Sequence, residues 1–294
     1  MNPIKTTNLT KTYSGTNVVD SLSLELLEGS ITGMLGRNGA GKTTTIKLMA
    51  GLILPSHGNV TLNGVDPFLH PEVRIENLFL LDSGTIPSHL TVMEYLVHLS
   101  RIYRFDQGSI RDSLEKLELW DYRNYYPSQL SAGMKQKAYL SLFLCRKFQT
   151  VVADEPAANL DPRSREDLYE LIRATNREQG TTFLISSHIL MEMRKLIDSV
   201  VVIKKGRVTI DSRMDNITRD STSGKRNIFS IEVSDTQRAS SLIAGARIQG
   251  KELIVERQGN RIGDIIDTLE SGGLQIFSVN RTSDSVEKVL LEAM

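Results

Sequence analysis

The chain has 294 residues, which is long enough for one large domain or two smaller ones. Hydrophobic residues make up 40% and charged residues 24%, a composition that is typical of a globular protein and excludes a disordered or fibrous one. Because 35 Lys and Arg balance 35 Asp and Glu, the formal net charge is +0 and gives no argument for a polyanion such as DNA as the main partner.

The single cysteine, Cys145, excludes a disulfide framework and any cysteine-rich metal site, and it fits a reducing compartment. No apolar run approaches the roughly 18–20 residues that a membrane-spanning helix needs. The segment from Met1 to Lys5 lacks the apolar core of a signal peptide. We therefore expect a cytoplasmic protein, which another chain would have to hold in place if it works at a membrane.

Short apolar strands alternate with helical patterns in the first part of the chain. Residues Ser21 to Leu26 alternate polar and apolar side chains, as a half-buried strand does. Ile31 to Leu35 is a second predicted strand, and a glycine-rich turn and a helix starting at about Lys42 follow it. This order is typical of the first strand–turn–helix unit of an α/β domain.

A mostly helical segment is predicted from about residue 88 to 146. Thr91 and Glu94 match a capping box, in which each residue satisfies a backbone N–H at the start of a helix. Ser109 to Leu119 forms a second predicted helix. We interpret the segment as a helical insertion between two halves of a sheet.

Three further patterns complete the predicted sheet. Val151 to Ala153 is a continuous apolar run, as expected of a parallel strand that is covered on both faces, and Thr182 to Ser186 is another. Val200 to Ile203 and Val208 to Ile210 predict a hairpin. Strands separated by helices favour an open, mostly parallel α/β sheet.

A polar stretch at residues 216–226 predicts a linker. We assign residues 1–215 to one domain and residues 227–294 to a second. The second domain alternates apolar residues as strands do and carries two stripes of helical spacing. It is predicted to be a small α+β unit, βαββαβ, with a last helix near Val286.

A phosphate-binding loop is the most specific motif. The segment from Gly36 to Thr43 matches G-x-x-x-x-G-K-[ST] at every fixed position, between a predicted strand and a predicted helix. Glycines let successive backbone N–H groups curl around one anion, and the helix adds the positive end of its dipole. Lys42 would supply a charge to the outer phosphates and Thr43 a hydroxyl to Mg²⁺. The predicted nucleotide-binding set here is Gly36, Arg37, Asn38, Gly39, Ala40, Gly41, Lys42, Thr43 and Thr44.

Two carboxylates follow the buried strand that ends near residue 153. Ligands bind at the carboxyl ends of strands in open α/β sheets. Asp154 is therefore predicted to hold Mg²⁺ through its water shell. Glu155, the next residue, is predicted to polarise the attacking water as a general base.

The segment from Gln129 to Gln136 indicates one family of nucleotide-hydrolysing proteins. It reads Gln-Leu-Ser-Ala-Gly-Met-Lys-Gln and resembles the Leu-Ser-Gly-Gly-Gln signature of the ATP-binding cassette (ABC) family, specifically of the ATPase subunits of ABC transporters. Ser131 and Gly133 match the signature, whereas Ala132 and Met134 depart from it in a way that resembles the drug, peptide and antibiotic exporter branch. In the family, this site meets the γ-phosphate that the partner subunit binds.

Other positions resemble family motifs in the family's order. Tyr13 lies where the family stacks an aromatic ring on adenine, and His188 resembles the switch histidine that contacts the γ-phosphate. The segment from Asn159 to Asp161 resembles the D-loop, which in the family contacts the partner's site. Asp161 matches the aspartate of that loop, whereas Asn159 replaces its usual glycine. Asp82 falls where the family has the Q-loop glutamine, and we expect it to lie near the metal and to link the nucleotide to the membrane partner.

The resemblance covers about residues 3–212. It implies a P-loop NTPase fold with a RecA-like core and a helical insertion, ATP and Mg²⁺ as cofactors, and two such domains that clamp two ATP molecules. It also implies integral-membrane permease subunits as partners, a second ATPase subunit of the same or a related kind, no nucleic acid, and a peripheral position on the inner face of the cell membrane. The catalytic residues would be Lys42, Glu155 and His188.

Two alternatives stay open at this point. Some cassette relatives are ATPases that act on DNA or on ribosomes. The relatives that act on DNA insert a long coiled coil that this chain lacks, and those that act on ribosomes usually carry two cassettes. A regulatory, non-hydrolysing subunit is the other alternative, which the departures at Asp82, Ala132 and Asn159 favour and the intact Lys42 and Glu155 oppose. The sequence does not identify the transported substrate, which the membrane chains select. The Met134 signature, the acidic residue Asp82 and the second domain favour export as the direction of transport.

Overall fold

A computed structural model provides the coordinates. The residues that it describes are 2–81, 86–158, 160–188, 193–217, 227–250, 252–257, 262–282, 290 and 293. They divide into two compact units, Met1–Ser212 with Ala293–Met294, and Arg213–Glu292. Asn216 and Ile217, which we assigned to a linker, are helical, and Ile217 is buried; residues 218–226 lie outside the described part of the chain.

The first unit combines two sheets with helices. Its described strands are β1 (Ile4–Tyr13), β2 (Thr16–Glu25), β3 (Ile31–Leu35), β4 (His57–Leu62), β5 (Asn77–Leu80), β6 (Thr150–Asp154), β7 (Thr182–Ser187), β8 (Ser199–Lys204) and β9 (Arg207–Arg213). Its described α-helices are α1 (Lys42–Met49), α2 (Val92–Tyr103), α3 (Gln107–Lys116), α4 (Ala132–Leu140) and α5 (Pro162–Gln179).

The main sheet has the order β5-β6-β7-β3-β8-β9. The strands from β5 to β8 run parallel, and every residue of β3, β6 and β7 is buried, as the continuous apolar runs predicted. β9 returns beside β8 through Lys205 and Gly206, both at positive φ, so the predicted hairpin is confirmed. The parallel order places the ends of β3, β6 and β7 together at one edge of the sheet, which is where the predicted site residues follow each strand.

The second sheet is antiparallel, with the order β2-β1-β4. The alternation from Ser21 to Leu26 correctly predicted part of β2, in which Leu22 and Leu24 are buried. Neither β1 nor β4 was predicted. Their pairing contains register shifts, and β1 buries its residues irregularly, so neither strand carries a clean period-two pattern.

The helical segment has its own apolar core. The capping box that opens α2 is present, with the Glu94 N–H donating to Thr91 Oγ1 (3.2 Å) and the Thr91 N–H donating to Glu94 Oε2 (2.8 Å). α3 begins two residues earlier than predicted because Asp106 accepts the Ser109 N–H and caps it. The main contributors to this core are Leu96, Ile110, Leu114, Leu119, Ala138 and Cys145. The segment is therefore a separately packed insertion between β5 and β6.

Cys145 lies in this helical core and offers a test of its packing. It is 3% exposed, contacts the Ser113 hydroxyl at 3.3 Å, and burial raises the pKa of its thiol to about 11. We expect a disulfide reagent at pH 8 to label the folded chain at least about 10²-fold more slowly than the chain unfolded in urea, because less thiolate is present. A spectrophotometric thiol assay measures both rates, and rapid labelling of the folded chain would contradict this packing.

The second unit has the predicted βαββαβ order. Its described elements are β10 (Asn227–Val233), α6 (Thr236–Leu242), β11 (Arg247–Gln249), β12 (Glu252–Arg257), α7 (Gly263–Ser271) and β13 (Ile276–Thr282). The four strands form an antiparallel sheet in the order β11-β12-β10-β13. Ile231, Leu253 and Leu269 are fully buried in the apolar core of this unit. The predicted last helix near Val286 falls outside the described residues.

Candidate functional site

The phosphate-binding loop joins the end of β3 to the start of α1. Gly39 and Gly41 have φ values of 80° and 106°, which other residues adopt only with strain. A Cβ atom on Gly36 would lie 2.6 Å from the carbonyl oxygen of Ile203, and one on Gly41 would lie 2.6 Å from that of Val18. The glycines are therefore required both by the curl of the loop and by backbone that packs against it from elsewhere in the chain.

Lys42 is the first residue of α1 and is only 6% exposed. Its ammonium group donates to the carbonyl oxygen of Gly36 at 2.8 Å. It also lies 3.4 Å from Glu155 Oε1. A buried ammonium group needs such partners because desolvation is costly. Lys42 is thus held within the loop, with its charge beside Glu155, the carboxylate that the sequence predicted to be catalytic.

Asp154 and Glu155 stand at the end of β6. Asp154, the last residue of the strand, is 2% exposed, and its Oδ1 accepts a hydrogen bond from the Ser186 hydroxyl at 2.5 Å. Glu155 has a φ of 48°, and its N–H donates to Ser186 Oγ at 2.9 Å. The two neighbouring carboxylates therefore have different surroundings, one buried in the sheet and the other turned towards Lys42.

His188 follows β7 and meets the same carboxylate. Its Nδ1 lies 2.7 Å from Glu155 Oε2, while Lys42 approaches Oε1 of that group. Side-chain exposure rises from 6% at Lys42 to 15% at Glu155 and 43% at His188. The three side chains therefore extend in that order from the buried loop to the surface. Glu155 is therefore in direct contact with both of the other predicted catalytic residues.

A cleft of about 370 Å³ opens over the loop. Its described lining residues are Val18, Asn38, Gly39, Ala40, Gly41, Lys42, Thr43, Thr44, Glu155, Ala158 and His188. Most of the predicted nucleotide-binding residues thus line one cavity. Val18 and Ala158 were not predicted to be site residues. Val18 lies in β2 of the other sheet, and nothing in its local sequence relates it to the phosphate loop.

The other predicted residues lie outside the lining of this cleft in the described part of the chain. Tyr13, at the end of β1, is 47% exposed, and the Lys11 ammonium group is 5.1 Å from its ring centroid. Arg37 is exposed at the tip of the loop, while Gly36 contributes the carbonyl that holds Lys42. Asp82 is outside the described residues, so its predicted link to the metal and the membrane partner stays a prediction.

Ser131 and Asp161 each cap the start of a helix. Ser131 accepts the Met134 N–H at 3.2 Å and begins α4, and its side chain is exposed. Asp161 accepts both the N–H and the hydroxyl of Ser164 at the start of α5, and these hydrogen bonds lower the pKa of its carboxyl group. The nearest atom to a Cβ built on Gly133 is 3.9 Å away, so the signature segment is uncrowded within its own chain.

A larger cavity, of about 830 Å³, runs along α5. Its lining mixes Arg165, Arg173 and Arg177 with Glu166 and Glu170. None of the predicted catalytic residues lines it. We place the functional site in the smaller cleft because, among the residues that the structure describes, only there do loop geometry, buried charges and the ends of parallel strands meet.

The buried carboxylate of Asp154 fits a divalent cation. Its Oδ2 is buried and has no hydrogen-bond partner in the described part of the chain, which is unusual for a charged oxygen. Thr43 lines the cleft one residue after Lys42. Among the described residues, no group of three or more His, Cys, Asp or Glu could hold a metal by itself. This donor set suits Mg²⁺, which is usually bound by one or two carboxylates together with the phosphates of a substrate.

In the described part of the chain, no helix has both the length and the apolar character needed to cross a membrane.

Residues 19–158 match the family model described as "ABC transporter". The chain is 32% identical over 238 residues to the bacitracin transport ATP-binding protein BcrA of Bacillus licheniformis, a match that covers 80% of this chain and 76% of that protein. It is 30% identical over 239 residues to the daunorubicin/doxorubicin resistance ATP-binding protein DrrA of Streptomyces peucetius, covering 80% of this chain and 71% of that protein.

Solved structures share the architecture. One described as the ATP binding subunit of an ABC transporter has a TM-score of 0.68 at 28% identity, and covers 74% of this chain and 92% of that one. A dimeric ATP-binding cassette in a post-hydrolysis state, bound to ADP and Pi, has a TM-score of 0.66 at 24% identity, covering 72% of this chain and 98% of that one. These similarities confirm the predicted P-loop NTPase fold with a helical insertion.

Proposed function

This chain belongs to the ABC transporter family as an ATP-binding subunit with ATPase activity, and from that premise we propose how its residues bind and hydrolyse ATP. The observation that carries the proposal is the contact of Glu155 with both Lys42 and His188 at the mouth of the phosphate-binding loop. One cleft thus holds Lys42 as a cation for the phosphates, Glu155 as a base for water, and His188 as a further hydrogen-bond donor to the γ-phosphate.

The phosphates of ATP bind in the loop from Gly36 to Thr44. Backbone N–H groups and the start of α1 donate to the phosphate oxygens, and the Lys42 ammonium group pairs with the outer phosphates. Lys42 pairs with Glu155 in the structure, so an arriving phosphate replaces Glu155 as the partner of the Lys42 ammonium group. On the exposed side, the ring of Tyr13 stacks on the adenine.

Thr43 and Asp154 are the residues that would hold Mg²⁺. The unpartnered, buried Oδ2 of Asp154 supports this assignment, and the carboxylate binds through the water shell of the ion. When bound, Mg²⁺ would supply positive charge that neutralises the negative charge developing on the phosphates.

Hydrolysis needs a base and a group that holds the γ-phosphate. Glu155 takes a proton from water as the water oxygen attacks the γ-phosphorus, and the bond to the β,γ-bridging oxygen breaks. His188, within hydrogen-bond distance of Glu155, orients that carboxylate and contacts the γ-phosphate. The products are ADP and inorganic phosphate.

A second ATP-binding subunit completes each site. The start of α4 is exposed and lies outside the cleft of its own chain, which suits a contact with a nucleotide held by another copy. Ser131 and Gly133 then donate to the γ-phosphate across the interface, and Asp161 contacts the partner's site. ATP holds the two subunits together, and hydrolysis releases them.

Transport requires membrane-spanning permease chains to which this subunit is bound at the inner face of the membrane. The names of the relatives refer to bacitracin transport and to daunorubicin and doxorubicin resistance. Together with the Met134 signature, they support export of a drug, peptide or similar compound.

A mixing experiment tests the shared site. Gly133→Asp places a negative side chain where Gly133 has free space in its own chain, so the fold is preserved while the partner's γ-phosphate is repelled. Lys42→Ala inactivates the loop instead. Each variant should be inactive by itself, whereas an equal mixture should recover about one quarter of the parent ATPase activity, because half of the dimers are mixed and each has one intact site.

Failure of the mixture to gain activity would contradict a site shared between chains. Glu170→Gln mixed with Lys42→Ala is the matched control. Glu170 is exposed on α5 and lies outside the cleft lining. The Glu170→Gln chains in that mixture should therefore hydrolyse ATP at the phosphate loops that retain Lys42, as the parent does.

A further inference from the structure

Ser186 lies at the point where the neighbouring residues Asp154 and Glu155 meet the sheet. It is fully buried in β7 and stands in register beside Asp154 of β6. Its hydroxyl oxygen accepts the Glu155 N–H at 2.9 Å, and its hydroxyl hydrogen is directed at Asp154 Oδ1, 2.5 Å away. One side chain thus satisfies both neighbouring residues.

The direction of these hydrogen bonds is determined by chemistry. A backbone N–H can only donate, so the hydroxyl must accept from Glu155 and keeps its own proton for the carboxylate. An ionised carboxylate only accepts, so the Asp154 oxygen must receive that proton. The result is a fixed orientation of Asp154 in which Oδ1 is occupied and Oδ2 is left without a partner among the described residues.

Glu155 depends on the same hydroxyl in a different way. Its φ of 48° lies in the left-handed region, which costs a non-glycine residue free energy and persists only where surrounding contacts hold it. The hydrogen bond from its N–H to Ser186 is one such contact. The turn directs its side chain to Lys42 and His188 instead of into the sheet.

We propose that Ser186 is a positioning residue of the ATPase site, which aims Asp154 Oδ2 at Mg²⁺ and holds the backbone of Glu155. The inference rests on the proposed function in one respect, namely that Asp154 takes part in binding Mg²⁺. Outer groups that orient a metal-binding carboxylate typically contribute about 10–100-fold to metal affinity or activity. Ser186 touches neither substrate nor metal and acts only through its two neighbours.

The test compares Ser186→Ala with Ser199→Ala in the full-length protein. Ser199 is a matched control, since it is buried in β8 of the same sheet and its hydroxyl lies 2.8 Å from that of Thr32 near the opposite edge. We expect Ser186→Ala to raise the Mg²⁺ concentration for half-maximal ATPase activity about tenfold or more, with little change in KM for ATP. Ser199→Ala should leave that concentration unchanged.

A binding measurement separates this role from loss of packing. Calorimetry gives the Kd of ADP in Mg²⁺ and in EDTA, and we expect Ser186→Ala to weaken binding in Mg²⁺ while the Kd in EDTA stays within about twofold of the parent value. An unchanged Mg²⁺ dependence in Ser186→Ala, or an equal change in Ser199→Ala, would overturn the inference. If the parent protein itself hydrolyses ATP without Mg²⁺, the proposed function of Asp154 is wrong instead.

Ser186→Thr provides the second variant if alanine prevents folding. Threonine keeps the hydroxyl group, so a folded Ser186→Thr protein should retain the Mg²⁺ requirement of the parent. A folded threonine variant whose Mg²⁺ concentration for half-maximal ATPase activity rises as in Ser186→Ala would contradict the proposal.

Discussion

Replacing Glu155 with glutamine should lower the ATPase turnover at least about 10²-fold, because an amide cannot take the proton of the attacking water. ATP binding should survive the change. Glutamine has nearly the shape of glutamate, and the substitution removes one negative charge close to the phosphates and to Lys42, 3.4 Å away. The ATP-bound state should therefore accumulate. Steady-state phosphate release measures the loss of turnover.

The same variant should reveal the dimer. With hydrolysis blocked, saturating ATP and Mg²⁺ should shift Glu155→Gln from the mass of one chain to that of two, as measured by light scattering after gel filtration. Glu170→Gln, an exposed carboxylate on α5, should turn over ATP like the parent and show no lasting dimer. A Glu155→Gln protein that keeps its turnover would contradict the role of Glu155 as the base. One that stays monomeric in ATP even with its permease would argue against a shared site.

Replacing Lys42 with alanine should weaken ATP binding about 10–100-fold, the effect of losing charged hydrogen bonds of roughly 1.5–3 kcal/mol. The side chain is almost fully buried, so it is already positioned at the loop before nucleotide arrives. Its loss also leaves Glu155 without a cation at 3.4 Å, which adds repulsion between that carboxylate and the phosphates. Equilibrium binding of a fluorescent ATP analogue measures the change.

Lys47→Ala is the control for this prediction. Lys47 lies in the last turn of α1, outside the described residues that line the cleft, so its loss removes a lysine from the same helix without touching the site. Parent-like affinity in Lys42→Ala would show that backbone donors bind the phosphates without help from this ammonium group.

Much of the site could be predicted because its motifs are local. The spacing of glycines, Lys42 and Thr43 between a strand and a helix defines a phosphate loop without reference to the rest of the chain. The carboxylates after β6 and the histidine after β7 were placed correctly for a similar reason. Parallel strands bring their carboxyl ends to one edge, so residues that follow such strands meet in space.

The exposed starts of α4 and α5 carry local capping patterns, although helix α5 was not predicted. Ser131 and Asp161 each precede a helix and accept an N–H three residues later, which is a local pattern. That pattern does not show that Ser131 and Asp161 lie outside the described lining of the cleft in their own chain, which only the tertiary structure reveals.

The sequence by itself determined the local motifs of this protein: a glycine-rich loop between a strand and a helix, an acidic strand end and a signature segment at the start of a helix, all of which depend on residues close together in the chain. Tertiary structure decided how those parts are oriented. The hydroxyl of Ser186 sets the two carboxylates, and the carbonyl groups of Val18 and Ile203 exclude any side chain from two glycines of the loop. Such contacts join residues distant in the chain, and since no local pattern encodes them, packing of the completed sheets had to bring them together.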